Sequence, residues 1–277
     1  MSIWEKIGSV DRRWIYLAVA LTVIFPVLFP LKLPMNVTPE ARQLYDAIEA
    51  LPDSCVVMLT FDYYASATAE TRPVSIAALH HLFRKNIKVV TMTTIPLGGP
   101  SMASEVTRLM AKEYGKTYGV DYVNLGYKAN YTAVLLGMGT SIEGIYPTDQ
   151  YGTHLAELPL MQRVKNYEDI SFIFIVADNG IVDNWISIVN AQFNKPMGAG
   201  VTAVMAPKFY SYLQANQMIG LLGGMKGAAE YEMLVNKPSM AVSGMNSQSL
   251  VHLLIIGFVV LGNVAFFAAR RRKGTSE

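Results

Sequence analysis

Residues 170–177 read ISFIFIVA, an apolar run of strand length without a charged side chain. Isoleucine, phenylalanine and valine are all frequent in strands, and they fill most of it. A continuous apolar run, rather than an alternating one, is typical of a strand that is buried on both faces. Such strands occur in parallel sheets that are covered by helices. This stretch therefore predicts a parallel sheet with helices on both of its faces.

Similar segments lie on either side of this run, and helical patterns separate them. The other predicted strands are residues 55–61 (CVVMLTF), 87–95 (IKVVTMTTI), 120–125 (VDYVNL) and 200–205 (GVTAVM). The predicted helices are residues 39–51, 73–83, 101–115, 182–193 and 208–234. This alternation predicts an α/β fold, with a doubly wound, mostly parallel sheet of about five strands in one domain.

A second kind of segment closes the chain. Residues 250–269 read LVHLLIIGFVVLGNVAFFAA and carry no formal charge. About 20 apolar residues in a helix are enough to cross a bilayer core of roughly 30 Å. The basic residues 270–273 (RRRK) follow at once, which is typical of a cytoplasmic flank. The alternative is a buried core helix, but the length and the flank favour a transmembrane helix, predicted over residues 248–269.

The N-terminal region contains another apolar stretch. Residues 14–31 read WIYLAVALTVIFPVLFPL and follow the basic residues Lys6, Arg12 and Arg13. The stretch is longer than the roughly 7–15 residues of a signal-peptide core, and no small-residue cleavage site follows it. We therefore predict a retained transmembrane helix over residues 14–33, with a cleaved signal peptide as the alternative.

The positions of the basic residues predict the topology of the chain. They lie before the first apolar stretch and after the second, and positively charged flanks stay in the cytoplasm. Residues 1–13 and the basic tail, residues 270–277, are thus expected in the cytoplasm, and residues 34–247 form an extracytoplasmic domain. We expect a multi-pass protein of the cell membrane, in contact with the lipid bilayer.

Composition agrees with a membrane location and excludes other classes. Hydrophobic residues make up 52% of the chain and charged residues 16%, against roughly 25% charged in soluble domains. The net charge of +2 is too small to favour a nucleic-acid partner. Cys55 is the only cysteine, so an intrachain disulfide is impossible. Since no metal-ligand or phosphate-loop motif is present, we expect neither a metal nor a cofactor.

Candidate site residues follow the predicted strands. In an open parallel sheet, ligands bind beyond the carboxyl ends of the strands. Asp62 and Tyr63 follow the first strand, Lys128 follows the third, and Asp178 and Asn179 follow the fourth. Asp62, Lys128 and Asp178 would converge if their strands were neighbours. The alternative is that they are ordinary solvated turn residues.

The histidines offer one further candidate. His154 lies in the irregular stretch PTDQYGTHLAE, five residues after Asp149, and could act as a base beside that carboxylate. The alternative is an exposed loop histidine without a catalytic role.

A glycine pattern in the predicted helix 208–234 suggests a packing surface. Gly220, Gly223, Gly224 and Gly227 fall at helical spacing and would line one face. Each glycine costs about 1 kcal/mol relative to alanine inside a helix, so several of them need a compensating contact. The contact would be the protein's own sheet or a partner subunit.

These features favour one hypothesis and leave two others open. We predict a two-span membrane-anchored protein whose extracytoplasmic Rossmann-like domain is a binding or structural subunit of a membrane assembly, as a homo-oligomer or with other membrane subunits. The first alternative is a membrane-anchored hydrolase with its site at the strand ends. The second is a sensor, although the short cytoplasmic ends leave little room for an output domain.

Overall fold

The computed structural model describes residues 11–29 and 34–273, with side chains as far as residue 268. The chain divides into two compact units. Residues 35–241 form an α/β unit, and the two terminal segments, residues 1–34 and 242–277, form the other.

The α/β unit is built on a six-stranded sheet whose strands are all parallel, in the order β3-β2-β1-β4-β5-β6. The strands are β1 (Val56–Asp62), β2 (Lys88–Thr93), β3 (Tyr122–Tyr127), β4 (Phe172–Ala177), β5 (Met197–Val201) and β6 (Gly220–Gly223). The order reverses between β1 and β4, as in doubly wound sheets. The prediction of an α/β fold with a parallel sheet is confirmed.

Helices connect the strands and flank the sheet in the α/β unit. They are α2 (Pro39–Glu49), α3 (Thr68–Arg84), α4 (Gly99–Glu113), α5 (Tyr131–Met138), α6 (Ile142–Ile145), α7 (Pro159–Arg163), α8 (Ile181–Asn184, continued by a π-helix at Trp185–Asn190 and by Ala191–Phe193), α9 (Ala206–Gln214) and α10 (Gly224–Leu234). Helix α1 (Arg12–Leu28) and helix α11 (Met240–Lys273) belong largely to the terminal segments.

Both faces of the sheet are covered, as the apolar strands require. Val134 of α5, Trp185 of α8 and Phe209 of α9 belong to the core on one face. On the other face, the ring of Phe174 lies 6.2 Å from that of Tyr231 in α10. The carboxyl ends of all strands point to one edge of the sheet, because the strands are parallel.

The predicted helix 208–234 is wrong in one respect. It is interrupted by β6, which pairs with β5 as a sixth strand. Gly220 and Gly223 lie in β6, and Gly224 opens α10 with a φ of 61°. The four glycines therefore do not form a stripe on one helix. Two of them serve close packing inside the domain: a Cβ on Gly220 would lie 2.5 Å from the Cβ of Leu44, and one on Gly227 would lie 2.8 Å from the backbone of Leu222.

Of the described residues, one helix is long and apolar enough to cross a bilayer, at Met240–Ala268 within α11. Helix α1 contains 17 residues with Pro26 inside it, which is at the lower end of the roughly 17–25 residues of transmembrane helices. The last positions of the predicted first span, residues 30–33, lie outside the described residues. So do residues 1–10 and 274–277 of the predicted cytoplasmic ends.

Candidate functional site

The strand order brings two of the predicted site residues together. Strand β1 lies between β2 and β4, so Asp62, at the end of β1, is close to the residues that follow both neighbours. Asp178, directly after β4, has its amide 3.4 Å from the carbonyl oxygen of Asp62. Lys128 follows β3, which β2 separates from β1. The expected convergence thus holds for the two aspartates, and Lys128 lies further along the edge.

Asp62 is a fully buried carboxyl group held by three donors from two segments. It accepts hydrogen bonds from the amide of Thr94 at 2.6 Å, from the hydroxyl of Thr94 at 2.8 Å and from the indole N–H of Trp185 at 3.4 Å. Burial raises the pKa of Asp62, and the hydrogen bonds from Thr94 oppose that rise. The π-helix within α8 places Trp185 on this carboxyl group. These hydrogen bonds connect the end of β1 with Thr94, which follows β2, and with α8.

Asp178 and Asn179 close the crevice between β1 and β4. The Asp178 carboxylate accepts from the amide of Tyr64 at 2.9 Å and from the side chain of Asn179 at 3.0 Å. The same Asn179 amide donates to the Asp62 carbonyl at 2.8 Å, and its oxygen accepts from the amide of Ile181 at 2.9 Å. These side chains therefore hold the loops at the reversal point of the sheet.

Tyr63 and His154 do not join this group. Tyr63 is buried, and its hydroxyl lies 3.2 Å from that of Ser75; burial raises the pKa of Tyr63 to about 12. His154 is exposed on its loop. The Asp149 carboxylate binds the hydroxyl of Tyr118 at 2.6 Å and is nearly buried.

An open pocket of about 500 Å³ lies beyond the end of β3. Its walls include Gly126, Tyr127 and Lys128, and the loop residues from Tyr146 to Gln150. We call it the β3 pocket. The Lys128 ammonium at its wall donates to the carbonyl oxygen of Ile145 and lies 5.8 Å from the centre of the Tyr146 ring.

Two polar atoms of side chains that line the pocket are buried away from solvent, with no hydrogen-bond partner in the part of the chain that the structure describes. They are the hydroxyl of Tyr146 and the side-chain oxygen of Gln150. The Gln150 amide nitrogen donates to the Pro100 carbonyl at 3.1 Å, which fixes the orientation of the side chain. Burial raises the pKa of Tyr146, and the nearby charge of Asp62 raises it further, so the phenol stays protonated at neutral pH.

This pocket has little signature in the amino-acid sequence. Tyr146 and Gln150 lie in an irregular stretch without periodicity, in which only His154 and Asp149 suggested chemistry. The stretch reaches the sheet because the amide of Gln150 donates to the Asn124 carbonyl of β3 at 2.9 Å. Close approach is permitted at Gly126, where a Cβ would lie 3.3 Å from that of Gln150.

No group of three or more potential metal ligands occurs among the described residues. No family model, curated protein or solved structure matches the chain. The function is therefore argued from the geometry of the site.

Proposed function

We propose that this chain is a membrane-anchored binding protein whose α/β unit holds a small polar molecule in the β3 pocket. The observation that carries the proposal is the open pocket of about 500 Å³ at the carboxyl end of β3. In open parallel sheets, ligands bind beyond the carboxyl ends of the strands. Gln150 and Tyr146 line this pocket, and the Gln150 amide holds its wall by donating to the Pro100 carbonyl at 3.1 Å, so changes at these positions should disturb binding.

Hydrolysis at the strand ends has less support than binding. Asp178 is occupied by a backbone amide and by Asn179, and Lys128 donates to a carbonyl oxygen. Asp62 is enclosed by its three donors and has no exposed surface. His154 lies on the surface of a separate loop. A hydrolase would bring a nucleophile and a base within hydrogen-bond distance of each other in one cleft.

We also propose that α1 and α11 both span the membrane, with the α/β unit outside and both termini in the cytoplasm. The proposal is supported by the hydrogen bonds that hold the first and last segments of the α/β unit. Buried Glu230 of α10 accepts from the hydroxyl of Thr38 at 2.6 Å, just before α2. Buried Glu232 accepts from the amides of Ser239 at 2.8 Å and Ala241 at 3.0 Å, at the start of α11. Both ends are thus held by one helix, as expected of a domain tethered twice to one membrane surface.

The binding proposal is tested with the full-length chain in detergent. A panel of sugars, amino acids, carboxylic acids and nucleosides is screened for compounds that raise the melting temperature. We expect at least one such compound, and we expect its effect to disappear in Gln150→Leu and to weaken in Tyr146→Phe. The control is Leu109→Ala, at a half-exposed position of α4 that does not line the β3 pocket. The proposal fails if no compound acts, or if every effect persists in Gln150→Leu.

The topology is tested by labelling with a membrane-impermeant maleimide in intact cells. Cys55, the only cysteine, is first replaced by serine. A cysteine at Val204, which is highly exposed in the α/β unit, should then react without permeabilisation. A cysteine at Thr275, in the basic tail, should react only after permeabilisation. The reverse pattern would contradict the proposed orientation.

The assembly proposal has its own measurement. The protein is extracted from its native membrane in mild detergent, and its mass and companions are determined. A subunit of a membrane assembly should give a mass above that of the 30.5 kDa chain after subtraction of detergent, and at least about twice that mass if it is a homo-oligomer. A lone chain would contradict an assembly role and would leave ligand binding as the function.

A further inference from the structure

We propose that the α/β unit holds a second site, an apolar pocket that binds the acyl chain of a single-chain lipid. The pocket has a volume of about 240 Å³ and lies between α3, α4 and the segment 235–240, which joins α10 to α11. We call it the α3–α4 pocket. The described residues that line it differ from those of the β3 pocket, so the inference goes beyond ligand binding there.

Apolar side chains from three segments form much of the wall of this pocket. They are Ile76 and Ala77 of α3, Leu109 and Met110 of α4, and Val235 and Met240 of the joining segment. Ala77, Met110 and Val235 are buried, whereas Leu109 is 49% exposed and Met240 is 55% exposed. Methionine side chains adapt to irregular apolar ligands, because they are flexible and polarizable. The pocket therefore offers an apolar floor and an apolar rim.

The charged side chains at the rim are already engaged. The Arg72 guanidinium donates to the Glu105 carboxylate at 2.7 Å and lies 3.8 Å from the sulfur of Met240. The Lys237 ammonium forms an ion pair with Glu113. The rim thus carries two ion pairs, and a charged ligand would have to separate one of them to gain a partner.

Two buried polar residues of the wall are engaged as well. The Glu232 carboxylate accepts from the amides of Ser239 at 2.8 Å and Ala241 at 3.0 Å. His80 is hydrogen-bonded through Nδ1 to the hydroxyl of Tyr114, and burial lowers the pKa of His80, so its ring is neutral at pH 7. A polar ligand would lose its hydration here without compensation, whereas an apolar chain avoids that cost.

The size of the pocket agrees with one acyl chain. An apolar cavity of roughly 150 Å³ accommodates benzene, which corresponds to about 25 Å³ for each carbon atom. At that ratio, the volume of about 240 Å³ has room for about ten carbon atoms. This is enough for one medium-length chain and too little for the two chains of a phospholipid. Each methylene group that leaves water strengthens binding by about fourfold.

The membrane is the source of such a chain. Met240, at the rim, is the first residue of the segment Met240–Ala268, which is long and apolar enough to cross a bilayer. A protein attached by this helix stays at a membrane, where single-chain lipids concentrate. The inference therefore rests on the proposed membrane attachment. The head group of the lipid remains in solvent, because the polar groups of the wall are engaged.

The test is photolabelling of the full-length chain in nanodiscs of a saturated phosphatidylcholine. The probe is a fatty acid with a diazirine near its methyl end, the end that enters the pocket, and mass spectrometry locates the adducts. We expect adducts in residues 72–80 of α3 and 109–113 of α4, which line the pocket. An excess of unlabelled decanoic acid should remove them. Adducts in α11 are expected as well, from its contact with the bilayer.

A charge at the rim should close the site to the chain. Leu109→Lys should lower the labelling of α3 by about tenfold or more at a probe concentration below saturation, because the chain would have to displace the water around the new ammonium group. Leu136→Lys is the matched control, at a leucine of α5 that is 39% exposed and does not line the pocket. It should be labelled like the wild type, and so should Gln150→Leu. Circular dichroism shows whether each variant is folded.

The outcomes separate this inference from the other proposals. Labelling of α11 without α3 and α4 overturns the lipid site and agrees with the proposed membrane attachment. Labelling of α3 that persists in Leu109→Lys, or that is lost equally in Leu136→Lys or Gln150→Leu, also overturns the lipid site. If α3, α4 and α11 all remain unlabelled, both the lipid site and the attachment through α11 are overturned.

Discussion

His81 is a fully buried histidine whose two ring nitrogens are both bonded. Its Nε2 lies 2.7 Å from Oε2 of Glu49 and its Nδ1 lies 2.7 Å from the hydroxyl of Tyr231. A neutral ring with its proton on Nε2 meets both requirements, since it donates to the carboxylate and accepts from the phenol. Burial lowers the pKa of His81 to about 4, from the usual histidine value of 6.5. The residue thus joins α2, α3 and α10 in its neutral form.

This pKa difference predicts acid sensitivity. Above pH 6.5, His81 is neutral in both the folded and the unfolded state, and its contribution to the free energy of unfolding is complete. This contribution is lost as the pH falls from 6.5 towards 4, because the unfolded state then binds a proton that the folded state does not. The loss in the free energy of unfolding should reach about 3 kcal/mol at pH 4. Urea unfolding of the full chain in detergent, at several pH values, measures it. The double variant His81→Leu/Tyr231→Phe, which leaves no unpaired phenol, should lose less over that range, and the exposed His154→Leu should behave like the wild type. Parallel losses in wild type and double variant would contradict the assignment.

Among the secondary-structure elements, β6 depends most clearly on a glycine. A Cβ on Gly220 would lie 2.5 Å from the Cβ of Leu44 and 2.6 Å from the carbonyl oxygen of Glu40, so α2 would have to move. Gly220→Ala should therefore lower stability by about 1–3 kcal/mol, visible as a lower melting temperature. Gly180→Ala is the matched control, because its nearest neighbour would lie at 3.4 Å. Equal effects of the two substitutions would show that the close contact is unimportant.

Strand β6 is also the part of the sheet that the sequence pattern did not predict. The runs at 55–61 and 170–177 predict β1 and β4 because each is long, apolar and rich in strand-forming residues. Strand β6 has only two leucines between glycines, and its pairing with β5 and contact with α2 are tertiary effects. The sequence of β6 is a short apolar run that also fits a helix, so it does not reveal this pairing or this contact. The pattern therefore predicted one long helix instead.

The candidate site, too, was predictable from the sequence only in part. The end positions of predicted strands located Asp62 and Asp178 correctly at one edge, because parallel strands align their carboxyl ends. Their hydrogen-bond partners, such as Trp185, come from distant segments. Tyr146 and Gln150 carry no pattern of their own, and they matter only because the loop folds against β3. The edge of the sheet could be predicted from sequence, but the pocket could not.

At the scale of the whole molecule, attachment to the membrane is the property to test. If α11 spans the bilayer, two arginines at its centre should make insertion unfavourable by about 6 kcal/mol, at roughly 3 kcal/mol each. Val259→Arg/Val260→Arg in a chain lacking residues 1–34 should therefore move the protein from the membrane pellet to the supernatant after alkaline carbonate extraction. Gly257→Leu/Gly262→Leu is the control, since neither glycine has a neighbour within 4 Å in the described structure. Retention of the arginine variant would argue against a span at α11.

The full-length chain with the same two arginines separates one anchor from two. Helix α1 has 17 residues, which is close to the lower limit for a span, and basic residues lie at its start. If α1 is a second span, as proposed, it should hold the arginine variant in the membrane pellet even though α11 cannot insert. The α/β unit would stay outside, and a cysteine at Val204 would still react with the impermeant maleimide. Release of the full-length variant would mean that α11 is the anchor on its own, and the N-terminal half of the proposed topology would then be wrong.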